Sequence, residues 1–304
     1  MTVLITGASG FIGKHFIEYA AEKYGKENIV LLTSSEIPGY KCVLHKDYTF
    51  TRNDFLDAGI DNIELVFHIG GGVPKNNKEN KIENISVLSK NLTYTVHLIE
   101  NLPNIPKKLV YTSSVSVYEQ SEESISEDTN YTEKDLYGIS KLMTEGYLLE
   151  ESKKLGFVLQ ILRLGQIYGE GEEKYSKIVS SFLSKLIKKE TITVLGDGGA
   201  LRSNLYVKDV VRYIYEASLQ ESSKAPVNIC SNQTVSIKSL LEICSRTVGV
   251  DLSDYVKFDK SKNCNNISYI TTRQESLFPS FVETPLEIGV KNLYSYLRVK
   301  YGNC

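Results

Sequence analysis

The sequence predicts an α/β fold built on a doubly wound parallel sheet, with a smaller lobe interleaved into its C-terminal part. Three observations predict it. Short apolar runs at residues 3–5, 29–32, 65–69, 109–111 and 158–162, interrupted only by His68 and Gln160, read as strands covered on both faces, because a strand with one wet face alternates instead. Each pair of runs is separated by an amphipathic stretch with room for a helix, and strands that alternate with helices make a parallel sheet. After Arg163 the pattern loosens into short segments punctuated by Gly165, Gly169, Gly171, Gly196, Gly198 and Gly199, with no repeat or low-complexity linker, so the second lobe is woven in and not tethered.

With 304 residues, 41% of them hydrophobic, the chain can bury one large core and a smaller appended one. Thirty-five basic against 37 acidic residues leave a formal charge of −2, and no Lys/Arg run is interleaved with aromatics, which sets nucleic acid aside. No apolar run approaches the roughly eighteen residues of a membrane span, and the first strand enters a glycine turn so soon that no signal h-region fits. A cytoplasmic protein with no membrane partner is expected. Cys42, Cys230, Cys244, Cys264 and Cys304 are odd in number and never spaced C-x-x-C, so reduced thiols are expected, with neither a disulfide framework nor a metal site.

The first strand runs into Thr6-Gly7-Ala8-Ser9-Gly10-Phe11-Ile12-Gly13 and opens a helix whose apolar face includes Phe11, Ile12, Phe16, Ala20 and Tyr24. Glycines at this place allow a tight turn, close approach of backbone N–H groups to a pyrophosphate and close helix–strand packing. Gly7, Ser9, Gly10, Phe11, Ile12 and Gly13 are therefore candidate dinucleotide contacts. Where the second strand ends, an acidic residue marks NAD by bonding the ribose 2′-OH. Thr33, Ser34 and Ser35 stand there instead, with no arginine for a 2′-phosphate either, and the missing carboxylate tilts the reading toward NADP over NAD. After the strand that ends at His68 come Gly70, Gly71 and Gly72, which let backbone pass close to a cofactor. His68 itself reads as a satisfied core residue.

Tyr137 and Lys141 are four apart on one helix face. A phenol titrates near pKa ~10, and an adjacent ammonium with a positively charged oxidised nicotinamide brings it toward neutrality, where it can exchange a proton. Upstream, residues 109–118 carry Ser113, Ser114 and Ser116 to the carboxyl end of the sheet, where doubly wound folds bind ligands.

Together these motifs resemble those of the extended short-chain dehydrogenases and reductases, the group of nucleotide-sugar epimerases, dehydratases and reductases, over nearly the whole chain. The resemblance implies a Rossmann-type sheet, an NAD(P) cofactor, a nucleotide-sugar substrate and a homodimer. Ser114, four before Tyr118 in S-S-x-x-V-Y, matches the serine that bonds the substrate oxygen beside the catalytic tyrosine, so Ser114, Tyr137 and Lys141 are carried over as catalytic, Tyr137 and Lys141 also touching the cofactor. Asn91 resembles the helix asparagine of N-V-x-G-T that supports the lysine through water, although Tyr94 stands where glycine is usual. His68-Ile69-Gly70-Gly71 likewise replaces the usual H-L-A-A. Asp47 is spaced like the family's adenine-contacting aspartate, with a turn role as its alternative.

Further on, Arg163-Leu164-Gly165-Gln166-Ile167-Tyr168-Gly169-Glu170-Gly171 is similar to R-x-x-N-V-Y-G-P-G, which places the Gln166 amide on the nucleotide-sugar with an altered reach. Residues 196–210 resemble G-D-G-x-x-x-R-x-x-x-Y-V-x-D-V and imply Arg202 as the diphosphate ligand, a role suited to a guanidinium fork. Asp209 reads as a cap or core support. The expected division is a dinucleotide-binding domain of residues 1–165 and 205–232, and a substrate lobe of residues 166–204 and 233–304.

Dehydratases of this group carry Asp-Glu just after the serine, and Val115 and Ser116 occupy those positions here, so dehydration ranks low. What remains is hydride transfer at a sugar carbon. Reduction of a nucleotide 4-keto-sugar with Tyr137 as proton donor comes first, 4-epimerisation with bound NAD close behind. A non-catalytic dinucleotide-binding regulator is the alternative from another class, disfavoured because a pure binder needs no Ser114, Tyr137 and Lys141 set.

Overall fold

The structure is a computed structural model that describes residues 1–73, 82–172, 175, 177–262 and 264–301; Cys304 lies outside the described residues. Its seven-stranded sheet contains β1 (Val3–Thr6), β2 (Ile29–Thr33), β3 (Lys41–Leu44), β4 (Leu65–His68), β5 (Lys108–Ser114), β6 (Val158–Leu164) and, after three further strands in chain order, β10 (Val227–Ile229). The strand order is β10-β6-β5-β4-β1-β2-β3, and every pairing from β3 to β6 is parallel. All residues of β1, β2 and β4 are buried, as the apolar runs require. Among the first six strands only β3 falls outside the runs read from sequence. It is an edge strand with one fully buried residue, Val43, too short and wet to leave an apolar signal.

The chain leaves β3 and returns to β4 on the other side of β1, so the strand order reverses between β1 and β4, where open α/β sheets bind ligands. Helices α1 (Phe11–Tyr24), α2 (Arg52–Asp57), α3 (Ile82–Asn101) and α4 (Leu136–Leu155) belong to this sheet's layers. The core beneath joins Leu4, Leu32 and Val66 of the strands to Leu98 and Leu148 of α3 and α4.

By packing, the chain divides into two units. The first comprises Met1–Glu119, Thr129–Leu164 and Val211–Asn228; the second comprises Gln120–Asp128, Gly165–Val210 and Ile229–Cys304. In the second unit, β9 (Leu201–Tyr206) pairs in parallel with β7 (Gln166–Tyr168) and antiparallel with β11 (Thr234–Ser236), and β8 (Ile192–Leu195) pairs in parallel with β12 (Val256–Asp259). Helices α5 (Ile178–Ile187), α7 (Ile237–Val248) and α9 (Leu286–Tyr301) pack on one another through Leu183, Leu186, Leu240, Cys244, Val290 and Leu293, all fully buried. The remaining helices are α6 (Val207–Ser218) and α8 (Thr272–Leu277). In the first turn of α6, the Asp209 carboxylate accepts from the Thr284 backbone N–H at 2.7 Å and its hydroxyl at 2.9 Å, anchoring the closing segment. No helix among the described residues is long and apolar enough to cross a membrane.

Candidate active site

The glycine turn has the mechanical features its spacing implies. Gly7 has φ +74, and a Cβ there would come within 2.6 Å of both the Gly70 Cα and N. A Cβ on Gly13 would lie 2.0 Å from the Gly7 carbonyl oxygen, so α1 packs on the turn at a distance that admits only hydrogen. Gly10 caps α1 with no side-chain bond, and the amides of the first turn keep the unpaired donors of a helix N-terminus. Ser9 is exposed, and Phe11 and Ile12 are half-buried beside it. A backbone passage lined by Gly7, Gly10, Gly13 and Gly70 fits a pyrophosphate, since side chains are excluded where phosphate oxygens would approach the amides.

Behind that passage a hydrogen-bonded chain fixes the second glycine segment. Thr95 Oγ1 donates to the Asn91 carbonyl at 3.1 Å, so toward His68 Nε2, 2.8 Å away, it accepts. His68 therefore carries its proton on Nε2, and Nδ1 accepts from Thr6 Oγ1 at 2.8 Å. Thr6 Oγ1 in turn accepts from the Gly70 N–H at 2.9 Å. Burial, and then the Lys141 charge, pull His68 down to about 3, so the imidazole is neutral at any working pH. At the other end of the segment the Asn91 amide clamps Gly72 twice, accepting from its N–H at 2.6 Å and donating to its carbonyl at 2.9 Å. A Cβ on Gly71 would sit 3.5 Å from Lys141 Nζ and 3.6 Å from Asn91 Oδ1. The family role carried over to Asn91 was support of Lys141 through water; its direct partner in this chain is the Gly72 backbone.

Ser114 ends β5 and accepts from the Ser116 N–H at 3.1 Å, and its hydroxyl is near enough to the Tyr137 phenol to favour its ionised form. Asp135 caps α4 by accepting from the Tyr137 N–H at 2.9 Å, which starts the helix one residue before the tyrosine. Burial, reinforced by the Asp135 charge and opposed by Ser114, pushes the Tyr137 phenol up to about 12. The sequence expectation of a lowered phenol counts on an oxidised nicotinamide as well as Lys141; the chain's own groups push it the other way. The Lys141 ammonium instead donates to the Thr112 carbonyl at 3.0 Å and to the Tyr111 hydroxyl at 3.2 Å, and burial outweighs the Glu145 charge to bring it down to about 8. Tyr137 is thus a phenol that keeps its proton at neutral pH, beside a serine hydroxyl and a buried lysine.

That lysine carries a stability signature. Unfolded, Lys141 titrates near its ordinary 10.5, and folded, near 8, so between those values the unfolded chain binds the extra proton and stability rises with pH. Lys141→Met is expected to flatten this rise between pH 8 and 10.5, measured as urea midpoints of both proteins across the window; an unaltered slope would contradict it.

Two side chains that the sequence reading passed over complete the arrangement. Glu145 and Arg163 form a buried ion pair at 2.7 Å, and Ser113, a plain neighbour of Ser114 in sequence, donates to Glu145 at 2.5 Å. The available signal was spacing, since Tyr137, Lys141 and Glu145 follow one another at four-residue intervals on α4.

At the end of β2, Thr33 is buried and its hydroxyl has no partner, while Ser34 and Ser35 are exposed. The three hydroxyls do not form one outward-facing set. Asp47 sits in a tight turn at φ +51, bonded by Lys90 Nζ at 2.7 and 2.9 Å. In the second unit, Gln166 on β7 lies opposite Asn204 of β9, whose buried Nδ2 has no partner and whose motif position gave no hint of it. Arg202, two residues before Asn204, is largely buried. It donates from Nη1 to the carbonyls of Leu201 at 2.6 Å and Asn265 at 2.7 Å, and from Nη2 to Cys264 Sγ at 2.8 Å. Nε–H and one Nη2–H stay uncommitted among the described residues.

Comparison with known proteins adds to this geometry. The profile of the NAD dependent epimerase/dehydratase family matches residues 3–230. The dTDP-4-dehydro-6-deoxyglucose reductase of Escherichia coli is 28% identical over 258 residues, covering 79% of each chain. A Methanocaldococcus jannaschii protein provisionally named a UDP-glucose 4-epimerase is 25% identical over 259 residues, covering 81% of this chain and 82% of its own. In fold, the UDP-glucuronic acid 4-epimerase of Bacillus cereus in complex with NAD superposes with a TM-score of 0.81 over 99% of this chain and 100% of that one, at 19% identity.

Proposed function

Because the chain belongs to the NAD dependent epimerase/dehydratase family, we propose that it is a nucleotide-sugar 4-epimerase working with NAD. What carries the reading is that Ser114 at the end of β5, and Tyr137 and Lys141 one turn apart on α4, fall in the unit that also holds the glycine turn, with Val115 and Ser116 where dehydration needs an acid/base pair. Bound NAD supplies reversible hydride exchange at a sugar carbon. The Gly7 to Gly13 amides would hold its pyrophosphate, with Gly70 and Gly71 alongside and Ser34 near the ribose. Tyr137 would act as a phenolate, ionised under the positive charges of Lys141 and of the oxidised nicotinamide when bound; it takes the proton from the sugar C4 hydroxyl and returns it, and Ser114 orients that oxygen. The epimerase names among its relatives support this order over reductase first, and the NAD named for the family and in the Bacillus cereus structure supports NAD over NADP. We assign the first unit to the dinucleotide and the second, through Gln166 and Arg202, to the nucleotide-sugar.

The test is to incubate the protein and NAD with UDP-glucose and with UDP-glucuronic acid, resolve the C4 epimers by chromatography, and follow cofactor absorbance. Epimer formation with no net cofactor change is expected. Stoichiometric consumption of NADPH or NADH on a nucleotide 4-keto-sugar, with no epimer formed, would establish the second reading, a 4-ketoreductase, which the E. coli relative favours.

Arg202 provides a separate check. Charge-assisted hydrogen bonds contribute about 1.5–3 kcal/mol, so Arg202→Ala is expected to raise KM for the nucleotide-sugar by about 10- to 100-fold and to leave the Kd for NAD unchanged. Equal loss on both ligands would reduce Arg202 to fold support.

A further inference from the structure

Two departures noted in the sequence, glycine for alanine at position 70 and tyrosine for glycine at position 94, meet in space. A Cβ built on Gly70 would lie 2.9 Å from Tyr94 Cε1, a distance real Cβ contacts essentially never reach, as well as 2.9 Å from Thr6 Oγ1 and 3.2 Å from the Gly7 N. The Tyr94 ring fills the room behind the segment completely, packed at 4.8 Å from Tyr48, 5.3 Å from His68, 5.5 Å from His45 and 6.1 Å from Phe50. It is 1% exposed, so it cannot swing out to admit a methyl group. On its far side Gly70 touches Gly7, whose own Cβ would strike the Gly70 Cα. The order from core to cofactor passage is therefore ring, Gly70, Gly7. We infer that Gly70 and Tyr94 are one reciprocal exchange of volume, and that Tyr94 is a positioning residue which sets how closely the Gly70–Gly72 segment approaches the glycine turn.

The hydroxyl is not what does this. The Tyr94 phenol faces Thr6 without a hydrogen bond of ordinary geometry, because Thr6 Oγ1 is committed to His68 and Gly70. Ring volume is the operative property, so phenylalanine substitutes for tyrosine and smaller residues do not.

The inference rests on the cofactor reading above, and the experiment separates the two. Gly70→Ala, Tyr94→Leu, Tyr94→Phe and the double variant Gly70→Ala/Tyr94→Leu are compared by urea midpoint without ligand, by Kd for NAD and, as a control carried by the other unit, by Kd for UDP. Gly70→Ala alone is expected to lower the midpoint and weaken NAD by about 10- to 100-fold, as overpacking at a rigid site does. In the Tyr94→Leu background the same substitution is expected to cost at least about threefold less, the remainder being the contact with Thr6 Oγ1, and UDP binding stays constant throughout. Tyr94→Phe matches the wild type. An equal loss from Gly70→Ala in both backgrounds, failure of both to fold included, overturns the exchange. Wild-type protein that binds no NAD overturns the cofactor reading instead, and the exchange then stands or falls on the urea midpoints alone.

Discussion

Tyr137→Phe lowers kcat for C4 epimerisation by about 10²–10⁴-fold, the range that a positioned proton donor contributes, and leaves the Kd for NAD nearly unchanged. The substitution keeps the ring that α4 packs and removes one oxygen, so what is lost is the group that exchanges a proton with the sugar. Its phenol is pushed up to about 12 by burial and by the Asp135 charge, so the chain's own groups leave it protonated at neutral pH until the charge of an oxidised nicotinamide joins that of Lys141. Ser114 accepts from the Ser116 N–H and is fixed at the end of β5, which makes it a guide for the substrate oxygen and a poor acid. The Lys141 ammonium is spent on the Thr112 carbonyl and the Tyr111 hydroxyl. Single-turnover kinetics together with calorimetric titration of NAD decide the matter. Wild-type turnover in the variant would falsify the assignment, and a parallel collapse of NAD affinity would show that the ring, not the hydroxyl, mattered.

What could be read from the sequence and what could not divides along a physical line. Strands β1, β2, β4, β5 and β6 announce themselves because burial on both faces demands apolar runs. Gly7 and Gly13 are legible because no other residue fits where backbone meets backbone. Tyr137 and Lys141 are legible because a helix converts four-residue spacing into one face. The chain Gly70, Thr6, His68, Thr95, Asn91 was not, since its members lie on three segments tens of residues apart and are individually ordinary. The hydrogen-bond partners of Lys141 are not legible, because spacing along α4 says nothing about the carbonyl that β5 presents. Thr33 was read as a ligand hydroxyl from its place at a strand end, and side-chain direction at that end is set by the pleat, which buries it.

Arg163→Met is expected to destabilise the protein by about 3–5 kcal/mol, the cost of leaving one member of a buried ion pair without the other. Arg163 and Glu145 are 2% and 3% exposed. The guanidinium holds the carboxylate through Nε at 3.1 Å and Nη2 at 2.7 Å, and its other donors reach the Tyr118 hydroxyl at 2.7 Å and the Tyr131 hydroxyl at 3.1 Å. Without it, Glu145 keeps only the Ser113 hydroxyl as a donor among the described residues and must either stay charged in a dry site or take up a proton. The pair therefore fixes α4 to β6 and to the end of β5, which is the frame that carries Tyr137 and Lys141. Replacing both partners, as Glu145→Leu/Arg163→Met, is expected to recover most of the lost stability, because a pair of apolar side chains of similar volume asks for no compensation. The catalytic readout moves separately: the Glu145 charge raises Lys141 against its burial, so the double variant lets Lys141 fall further below about 8 even where the fold is restored. Urea midpoints for the two single variants and the double, with the pH profile of kcat/KM beside them, test both halves of the argument. Additive destabilisation in the cycle would mean that the two side chains support the fold independently and that the ion pair is incidental.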